Sequence, residues 1–456
     1  MKIETFPPAP APRIAHLPHV LIIGGGASGV LLAAHLLRDP GAGLRVTVIE
    51  GRHMLGCGIA YSTADPGHLL NTRAGNMSAF PDDPSHFLRW LAARGEAADP
   101  TGFVSRGTYG AYMTELLAPL SADGRLHCIR ATCLDLTHTA REVAAHLDDG
   151  RVIPADRAVL ATGHAVPEPD PEGLVLGAWQ AAPPPPPAGR VVIIGSGLSM
   201  VDQAVTLLNA GHRGEIVAIS RRGQLPRVHA PGTPLEISRA EVPLGAPVSF
   251  VMSWLRGLAA RAEAQGGTWR DAVDGLRPHL TALWRAMDAA ERARFLRHAA
   301  PWWEVHRHRL PPESAAPIHA AIRAGRMRLL SGSFLGARRE GAILTADWRP
   351  RGTARTLGLE AARIIDCRGI RRDPAENATP LIAALLARGA ARIDPLRLGL
   401  DIAPDCALID ASGHPDPTIR AIGPASRAAF WEITAIPDIR QQAKMLAEEL
   451  AARLVE

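Results

Sequence analysis

The chain has 456 residues and a formal net charge of +5, with 50 lysine and arginine residues against 45 acidic ones. A chain of this length is expected to form more than one hydrophobic core. Because no dense basic run carries interleaved aromatic residues, nucleic-acid binding is not expected. The five cysteines form no Cys-x-x-Cys pair and no metal-binding spacing. This argues against a disulfide reductase and a metal site, and favours a cytoplasmic chain with reduced thiols.

The first predicted unit begins with an apolar strand at 20–23 that runs directly into a glycine-rich turn. In this turn Gly24 permits the reversal, Gly26 lets a pyrophosphate approach the backbone, and Gly29 lets the next helix pack against the strand. No Asp, Glu, Lys or Arg lies between residues 19 and 37, but the glycines argue against a membrane span there. No membrane partner is therefore expected.

This unit continues with a helix at 28–37, beginning at Ser28, and a second strand at 45–49 that leads into Glu50. Free amides at the helix N-terminus favour a negatively charged pyrophosphate. A carboxylate at the end of the second strand suits an adenosine ribose with two free hydroxyls. The first unit therefore predicts a site for FAD, and a glycine-rich core turn is the alternative.

Five consecutive prolines at 183–187 predict a stiff connector, and a second unit of the same kind follows them. Its turn contains Gly195 and Gly197, and its second strand runs into Arg221 and Arg222. The interval from the first glycine of the turn is 26 positions both to Glu50 and to Arg221. Guanidinium groups bind phosphate well, so the sequence favours NADPH over NADH at this second unit. A solvated pair of arginines is the alternative.

The two units define the predicted fold class, α/β with two Rossmann-like dinucleotide-binding domains, one for FAD and one for NAD(P)H, with a helical insertion. We expect the N-terminal part of the FAD domain at 1–182 and the NAD(P)H domain at 188–345. Alanine, leucine, arginine and tryptophan at helical spacing place the insertion at about 247–300. The C-terminal part of the FAD domain is expected at 346–456.

Several sequence blocks resemble a bacterial family of FAD/NAD(P)-binding oxidoreductases. Some of its members are described as FAD-dependent urate hydroxylases, and the wider relatives are flavoprotein monooxygenases. The blocks are Gly56–Ser62, His68–Asn71, Met77–Pro84, Ser220–Gly223, Trp303–Arg309 and Trp431–Ala443.

The resemblance implies an NAD(P)H-dependent flavoprotein monooxygenase that uses O2 and hydroxylates a small electron-rich substrate through a flavin peroxide. Urate is the leading specific candidate, and N- or S-hydroxylation are the other options. Two rival functions share the cofactor motifs: an NAD(P)H oxidase or reductase that passes electrons to a partner or quinone, and a non-catalytic FAD-binding redox sensor. The sequence does not define an oligomeric state.

Three residues are catalytic candidates. In this architecture Asn71 is expected near the flavin ring, where its amide orients the nicotinamide or the peroxide; an asparagine that satisfies loop backbone groups is the alternative. His306 and His308 alternate with two arginines and form the densest titratable cluster, suited to an anionic substrate or NADPH phosphates. An exposed strand or loop is the alternative for this alternation.

Four further residues are predicted to contact FAD. Thr162 and Gly163 end one apolar strand, and Gly423 ends another, at places where related flavoproteins bring the chain close to FAD. Ordinary turn glycines are the alternative. Trp431 precedes the last helix, where relatives place residues over the flavin, and a packing role is the alternative.

Overall fold

Two mainly parallel sheets form the centre of the molecule, and each is built around one of the glycine-rich turns. The computed structural model describes residues 17–455, apart from 40, 42, 98, 123, 140, 165–167 and 370–372. The predicted α/β fold with two Rossmann-like units is confirmed.

Within this described part of the chain, the strands alternate with helices in the two units and cluster into hairpins elsewhere. They are β1 (His19–Ile23), β2 (Arg45–Glu50), β3 (Leu126–Arg130), β4 (Cys133–His138), β5 (Val143–Leu147), β6 (Val152–Ala155), β7 (Arg157–Leu160), β8 (Leu176–Gly177), β9 (Val191–Ile194), β10 (Ile216–Ser220), β11 (Met327–Glu340), β12 (Ile343–Pro350), β13 (Leu357–Ala361), β14 (Arg363–Asp366), β15 (Ala407–Ile409) and β16 (Pro415–Ala421).

The helices include a continuous group in the second half of the chain. They are α1 (Ala27–Leu37), α2 (His86–Ala93), α3 (Arg106–Glu115), α4 (Leu198–Asn209), α5 (Val248–Ala264), α6 (Trp269–Leu276), α7 (Leu280–Ala286), α8 (Ala289–Arg294), α9 (Ala300–Arg307), α10 (Pro312–Arg323), α11 (Pro374–Asn377), α12 (Pro380–Ala387), α13 (Arg427–Phe430) and α14 (Ile436–Val455).

The first sheet has the strand order β15-β16-β7-β1-β2-β3, so the C-terminal strands join it through β7. All of its pairings are parallel except β15 with β16. Every residue of β1 is buried, as expected for a strand covered on both faces. Helix α1 is apolar on nearly all sides because it lies between this sheet and α14. The first unit is therefore completed by residues from both ends of the chain.

The second sheet has the order β13-β12-β11-β10-β9-β14-β8. Strand β12 pairs antiparallel with β11 and β13, and β14 pairs parallel with β9. The expected boundary between the NAD(P)H domain and the C-terminal part of the FAD domain, at residue 345, lies inside β12. Because β12, β13 and β14 all belong to the second sheet, this boundary lies after the end of β14 at Asp366. Similarly, β8 belongs to the second sheet although it precedes the proline run. Neither assignment could be made from the sequence, because both depend on pairing between strands that are distant in the chain.

Helices α5 to α9, here called the helical insertion (248–307), pack around their own apolar core. They also contact the segment before α14, since the indole nitrogen of Trp284 donates to the carbonyl of Ala428 at 2.8 Å. The insertion is thus anchored to the C-terminal part of the first unit. Over the described residues, no helix is both long and apolar enough to cross a membrane.

Candidate dinucleotide sites and the residues between them

Two glycines of the first turn are required by backbone packing. Gly24 has a φ of +109°, and a Cβ added there would lie 2.4 Å from the carbonyl oxygen of Ala161. A Cβ added at Gly29 would lie 2.0 Å from the carbonyl oxygen of Gly24. Both distances are far below van der Waals contact, so larger residues at these positions would force β1, α1 and the end of β7 apart.

Gly26 differs from these two because space remains beside it. A Cβ added there would lie 3.6 Å from the Cα of Gly58, which is ordinary contact. Gly26 is the N-cap of α1 and has no side chain to satisfy the first-turn amides. By contrast, Ser105 caps α3 by accepting from the amide of Thr108. The uncapped end of α1, flanked by glycine backbone, therefore fits a pyrophosphate.

The Glu50 carboxylate is held at the edge of this turn. Its Oε2 accepts from the amide of Gly25 at 2.8 Å, and its Oε1 accepts from the amide of Arg52 at 2.9 Å. These two bonds fix the carboxylate at the end of β2 beside the turn. This position fits the ribose role expected of it.

Four other predicted FAD residues gather near the same helix end. Ser28 is buried, and a Cβ added at Gly423 would lie 2.2 Å from its hydroxyl oxygen. Thr162 and Gly163 directly follow β7, and the amide nitrogen of Thr162 lies 3.2 Å from the position of a Cβ on Gly24. Residues from three distant segments of the chain thus surround the start of α1.

The second turn repeats this backbone geometry. Gly195 has a φ of +114°, and a Cβ added there would lie 2.4 Å from the carbonyl oxygen of Cys367. Gly197 is the N-cap of α4, and no described heavy atom lies within 4 Å of a Cβ added to it. Met200, which replaces the third glycine, lies in the first turn of α4, and its side chain is fully buried. An open helix N-terminus is therefore present in the second unit as well.

The strand register corrects one part of the sequence argument. The amide of Gly24 donates to the carbonyl of Ile49, and that of Gly195 donates to the carbonyl of Ile219. Glu50 is therefore matched by Ser220, and Arg221 lies one residue farther along. The equal spacing of 26 positions does not put Arg221 in the place of Glu50.

The consequence of this register is a change of charge. The Ser220 hydroxyl accepts from the Ser196 hydroxyl at 2.8 Å and from the amide of Gly223 at 3.0 Å. A neutral hydroxyl thus stands where the first unit has a carboxylate. Arg221 is exposed and Arg222 is partly buried directly after it. The end of β10 is therefore suited to a phosphate rather than to an unmodified ribose.

Trp431 is packed against the helical insertion. It is 3% exposed, and its ring stacks on Trp284 at a centroid distance of 4.8 Å and meets Phe295 edge-on at 5.3 Å. Its φ of +56° is unusual for a bulky residue. The structure thus places the Trp431 side chain in the core of the insertion contact, the packing position that the sequence left as the alternative.

His306 and His308 lie at the end of helix α9, not in the exposed strand or loop that the alternation allowed. His306 meets the ring of Trp269 edge-on, and its Nδ1 lies 2.7 Å from the carbonyl oxygen of Trp302. Burial lowers the pKa of His308 to about 4, so its imidazole is neutral at pH 7. His308 therefore brings no positive charge to an anionic ligand at neutral pH.

The arginine between these histidines belongs to a buried ionic cluster that the sequence did not reveal. Arg307 is 6% exposed; its Nε lies 3.5 Å from Glu432 and its Nη2 lies 3.6 Å from Asp438. Arg277 lies 3.8 Å from the same oxygen of Asp438. The sequence blocks Trp303–Arg309 and Trp431–Ala443 contain three of the four residues, but they do not show that these residues meet, because the four come from three separate segments.

The pKa values of the two carboxyls of this cluster are shifted in opposite directions. Burial disfavours both anions, but Arg307 and the neighbouring His308 bring the pKa of Glu432 below its ordinary value. For Asp438 burial prevails, and its pKa is raised despite Arg277. The cluster thus pairs a carboxylate that stays ionised with one that takes up a proton more readily.

Asn71 lies where the two units meet. Its carbonyl oxygen is 3.0 Å from Nε2 of His229, which belongs to the second unit. Nearby, Arg73 donates to the carbonyl of Ala230 at 3.0 Å. Burial lowers the pKa of His229 to about 4, so the neutral imidazole donates to Asn71. The backbone of Asn71 is thus fixed at the seam between the units.

The five cysteines are all free and buried. Burial raises the pKa of the Cys128 and Cys133 thiols to about 12 and that of Cys406 to about 11. The pKa of Cys57, the cysteine nearest the first turn in sequence, is also raised by burial. Such thiols are weak nucleophiles at neutral pH.

Comparisons with known proteins agree with this geometry. Residues 21–165 match the model of a family described as FAD-NAD(P)-binding. The predicted FAD- and NAD(P)-binding character is thereby confirmed, although the matched region does not include the second turn. A comparison with curated proteins finds no match.

Solved structures share the fold over nearly the whole chain. An ornithine N-hydroxylase from Kutzneria sp. 744 is 14% identical with a TM-score of 0.65, and the match covers 95% of this chain and 99% of that one. An ornithine hydroxylase from Pseudomonas aeruginosa is 16% identical with a TM-score of 0.65, covering 96% and 100%. An L-lysine 6-monooxygenase from Pseudomonas syringae is 15% identical with a TM-score of 0.64, covering 97% and 100%. At these identities the likeness establishes a shared fold that includes both dinucleotide units.

Proposed function

We propose that this chain is an NADPH-dependent FAD monooxygenase that hydroxylates a nitrogen of a small molecule. The observation that carries the proposal is the presence of two open dinucleotide turns in one chain, with opposite charge preference at their strand ends. The Glu50 carboxylate ends β2 in the first unit, whereas Ser220 ends β10 at the matching position in the second unit and Arg221 follows it. When bound, FAD accepts a hydride from NADPH and uses the electrons to activate O2.

The first unit holds the FAD. The amides at the start of α1 bind its pyrophosphate across Gly26, and Glu50 binds its adenosine ribose. Thr162 and Gly423 pack beside the same helix end, and Gly163 directly follows Thr162. These residues bind and orient the cofactor, and none of them is required to act as a nucleophile.

The second unit receives NADPH. The amides at the start of α4 bind its pyrophosphate across Gly197, and Arg221 and Arg222 bind its 2′-phosphate. The nicotinamide would meet the flavin at the seam near Asn71 and His229, where the two units are joined. Asn71 orients the nicotinamide there through its amide.

Nitrogen is the favoured target because the fold is shared end to end with an enzyme named as an ornithine N-hydroxylase, and with others named as an ornithine hydroxylase and an L-lysine 6-monooxygenase. This likeness supports N-hydroxylation of an amine as a reaction type and gives no particular support to urate. Urate, the candidate suggested by sequence resemblance, therefore becomes a comparison substrate in the test.

The test begins with purified protein loaded with FAD. Anaerobic NADPH should bleach the flavin, and air with the correct amine should give hydroxylated product in proportion to NADPH consumed. Ornithine, lysine, cadaverine and urate form the first substrate panel. Hydrogen peroxide as the sole product with every substrate would identify an oxidase instead. Failure of NADPH to reduce the flavin would favour the redox sensor.

A further inference from the structure

Helix α9 carries two adjacent tryptophans with opposite surroundings. Trp303 is 5% exposed, and its indole nitrogen donates to the Glu432 carboxylate at 2.6 Å. Trp302 is 42% exposed and points away from this core. Packing accounts for Trp303, but burial of apolar surface does not account for a large exposed ring at Trp302.

The partner of Trp302 is an arginine of the second dinucleotide unit. The central guanidinium carbon of Arg222 lies 5.5 Å from the centroid of the Trp302 ring, within the range of a cation–π contact. Arg222 lies two residues beyond Ser220, at the strand end where the cofactor's adenosine is expected. The helical insertion thus reaches across to the phosphate-binding end of β10.

We propose that Trp302 is a positioning residue for the nicotinamide cofactor, holding the Arg222 guanidinium where it binds the 2′-phosphate of NADPH. This inference rests on the proposed NADPH site. A free arginine side chain loses rotamer freedom when it binds a phosphate. An arginine already held over an aromatic ring loses less, so its phosphate contact is stronger. Trp302 therefore raises selectivity for the phosphorylated cofactor without touching the phosphate.

The test uses two nucleotide probes that differ by one phosphate, 2′,5′-ADP and 5′-ADP. Their dissociation constants are measured by titration calorimetry on the FAD-loaded protein. The variant Trp302→Ala should weaken 2′,5′-ADP binding by about two- to fivefold, the usual range for an exposed cation–π contact. Binding of 5′-ADP should not change. Trp302→Phe should retain part of the effect, because a phenyl ring keeps a weaker version of the contact.

Two controls separate this role from a general structural one. Phe250→Ala removes another exposed aromatic ring of the insertion, 56% exposed on α5, and should change neither constant. In an Arg222→Ala background, Trp302→Ala should have no further effect, since the coupled partner is already gone.

Three outcomes would overturn the inference: no change on Trp302→Ala, equal weakening of both probes, or an undiminished effect without Arg222. Wild-type protein that binds the two probes equally would instead overturn the NADPH assignment itself, and the inference with it. A wild-type preference that survives Trp302→Ala would leave the proposed function intact and reject only the role of Trp302.

Discussion

The two glycine-rich turns share a backbone but differ in the side chains that meet a cofactor. In each, the first glycine has a φ above +100°, and a Cβ added to it would lie 2.4 Å from a backbone carbonyl oxygen just past the end of a neighbouring strand. In each, the amide of this glycine donates to the carbonyl oxygen of an isoleucine in the second strand of the unit, Ile49 or Ile219. The first turn then meets Glu50, whereas the second meets Ser220. The backbone geometry therefore defines a dinucleotide site, and one strand-end residue sets its charge preference.

The third glycine position shows that part of the glycine pattern is required by helix packing and not by cofactor binding. Gly29 lies against the Gly24 carbonyl, while the second unit accommodates the buried side chain of Met200 at the corresponding position. The helix of the second unit must therefore lie differently on its strand. A glycine at this position is required by the first unit's close packing and is not a general requirement for binding a dinucleotide.

The largest expected effect comes from Gly29→Ala. The added methyl would lie 2.0 Å from the Gly24 carbonyl oxygen and overlap it. We therefore expect the free energy of unfolding to fall by about 3 kcal/mol and bound FAD to be lost. Thermal unfolding and the flavin content of purified protein measure both effects. Gly257→Ala on α5 is the matched control, because its Cβ meets no described atom within 4 Å. That control should stabilise the helix by up to about 1 kcal/mol. A Gly29→Ala protein that retains wild-type stability and FAD would contradict the packing argument.

The next effect tests the register of the second unit. Ser220→Glu places a carboxylate at the position that Glu50 occupies in the first unit, where it would repel a 2′-phosphate. We expect the KM for NADPH to rise about 100-fold, corresponding to about 2.7 kcal/mol, and NADH to become the better reductant. Steady-state reduction of the flavin with each nucleotide measures the change. If the same substitution at Ser196 produced the same switch, the structural match of Ser220 with Glu50 would be rejected.

A smaller change is expected from Arg221→Ala. Loss of one charge-assisted hydrogen bond to phosphate corresponds to about 1.5–3 kcal/mol, so the KM for NADPH should rise roughly 10- to 100-fold. The KM for NADH should stay within about twofold, because NADH has no phosphate at that place. Arg339→Ala, on the exposed end of β11, controls for a general loss of positive charge. Equal loss for both nucleotides would reject the assignment of Arg221 to the 2′-phosphate.

The sequence revealed most of what is local in these sites. Strand, turn and helix N-terminus are encoded by consecutive residues, so Gly24, Gly29 and Gly195 could be assigned before the fold was known. The match of Glu50 with Ser220 could not, because it depends on where helix α4 ends and β10 begins pairing. The cluster of Arg307 with Glu432 was equally hidden, since residues distant in sequence meet only when the insertion packs on the C-terminal segment.

The smallest effect on stability is expected at Gly197, and it separates glycines that bind from glycines that pack. Because a Cβ there meets no described atom within 4 Å, Gly197→Ala should change the free energy of unfolding by less than about 1 kcal/mol. The same methyl would occupy space that the NADPH pyrophosphate needs, so NADP+ binding should weaken about tenfold. Titration of NADP+ beside thermal unfolding measures the two together. Gly26→Ala is the counterpart in the first unit and should weaken FAD binding while leaving NADP+ binding to FAD-saturated protein unchanged. If Gly197→Ala instead weakened the binding of FAD and left the binding of NADP+ unchanged, the two turns would have been assigned to the wrong cofactors.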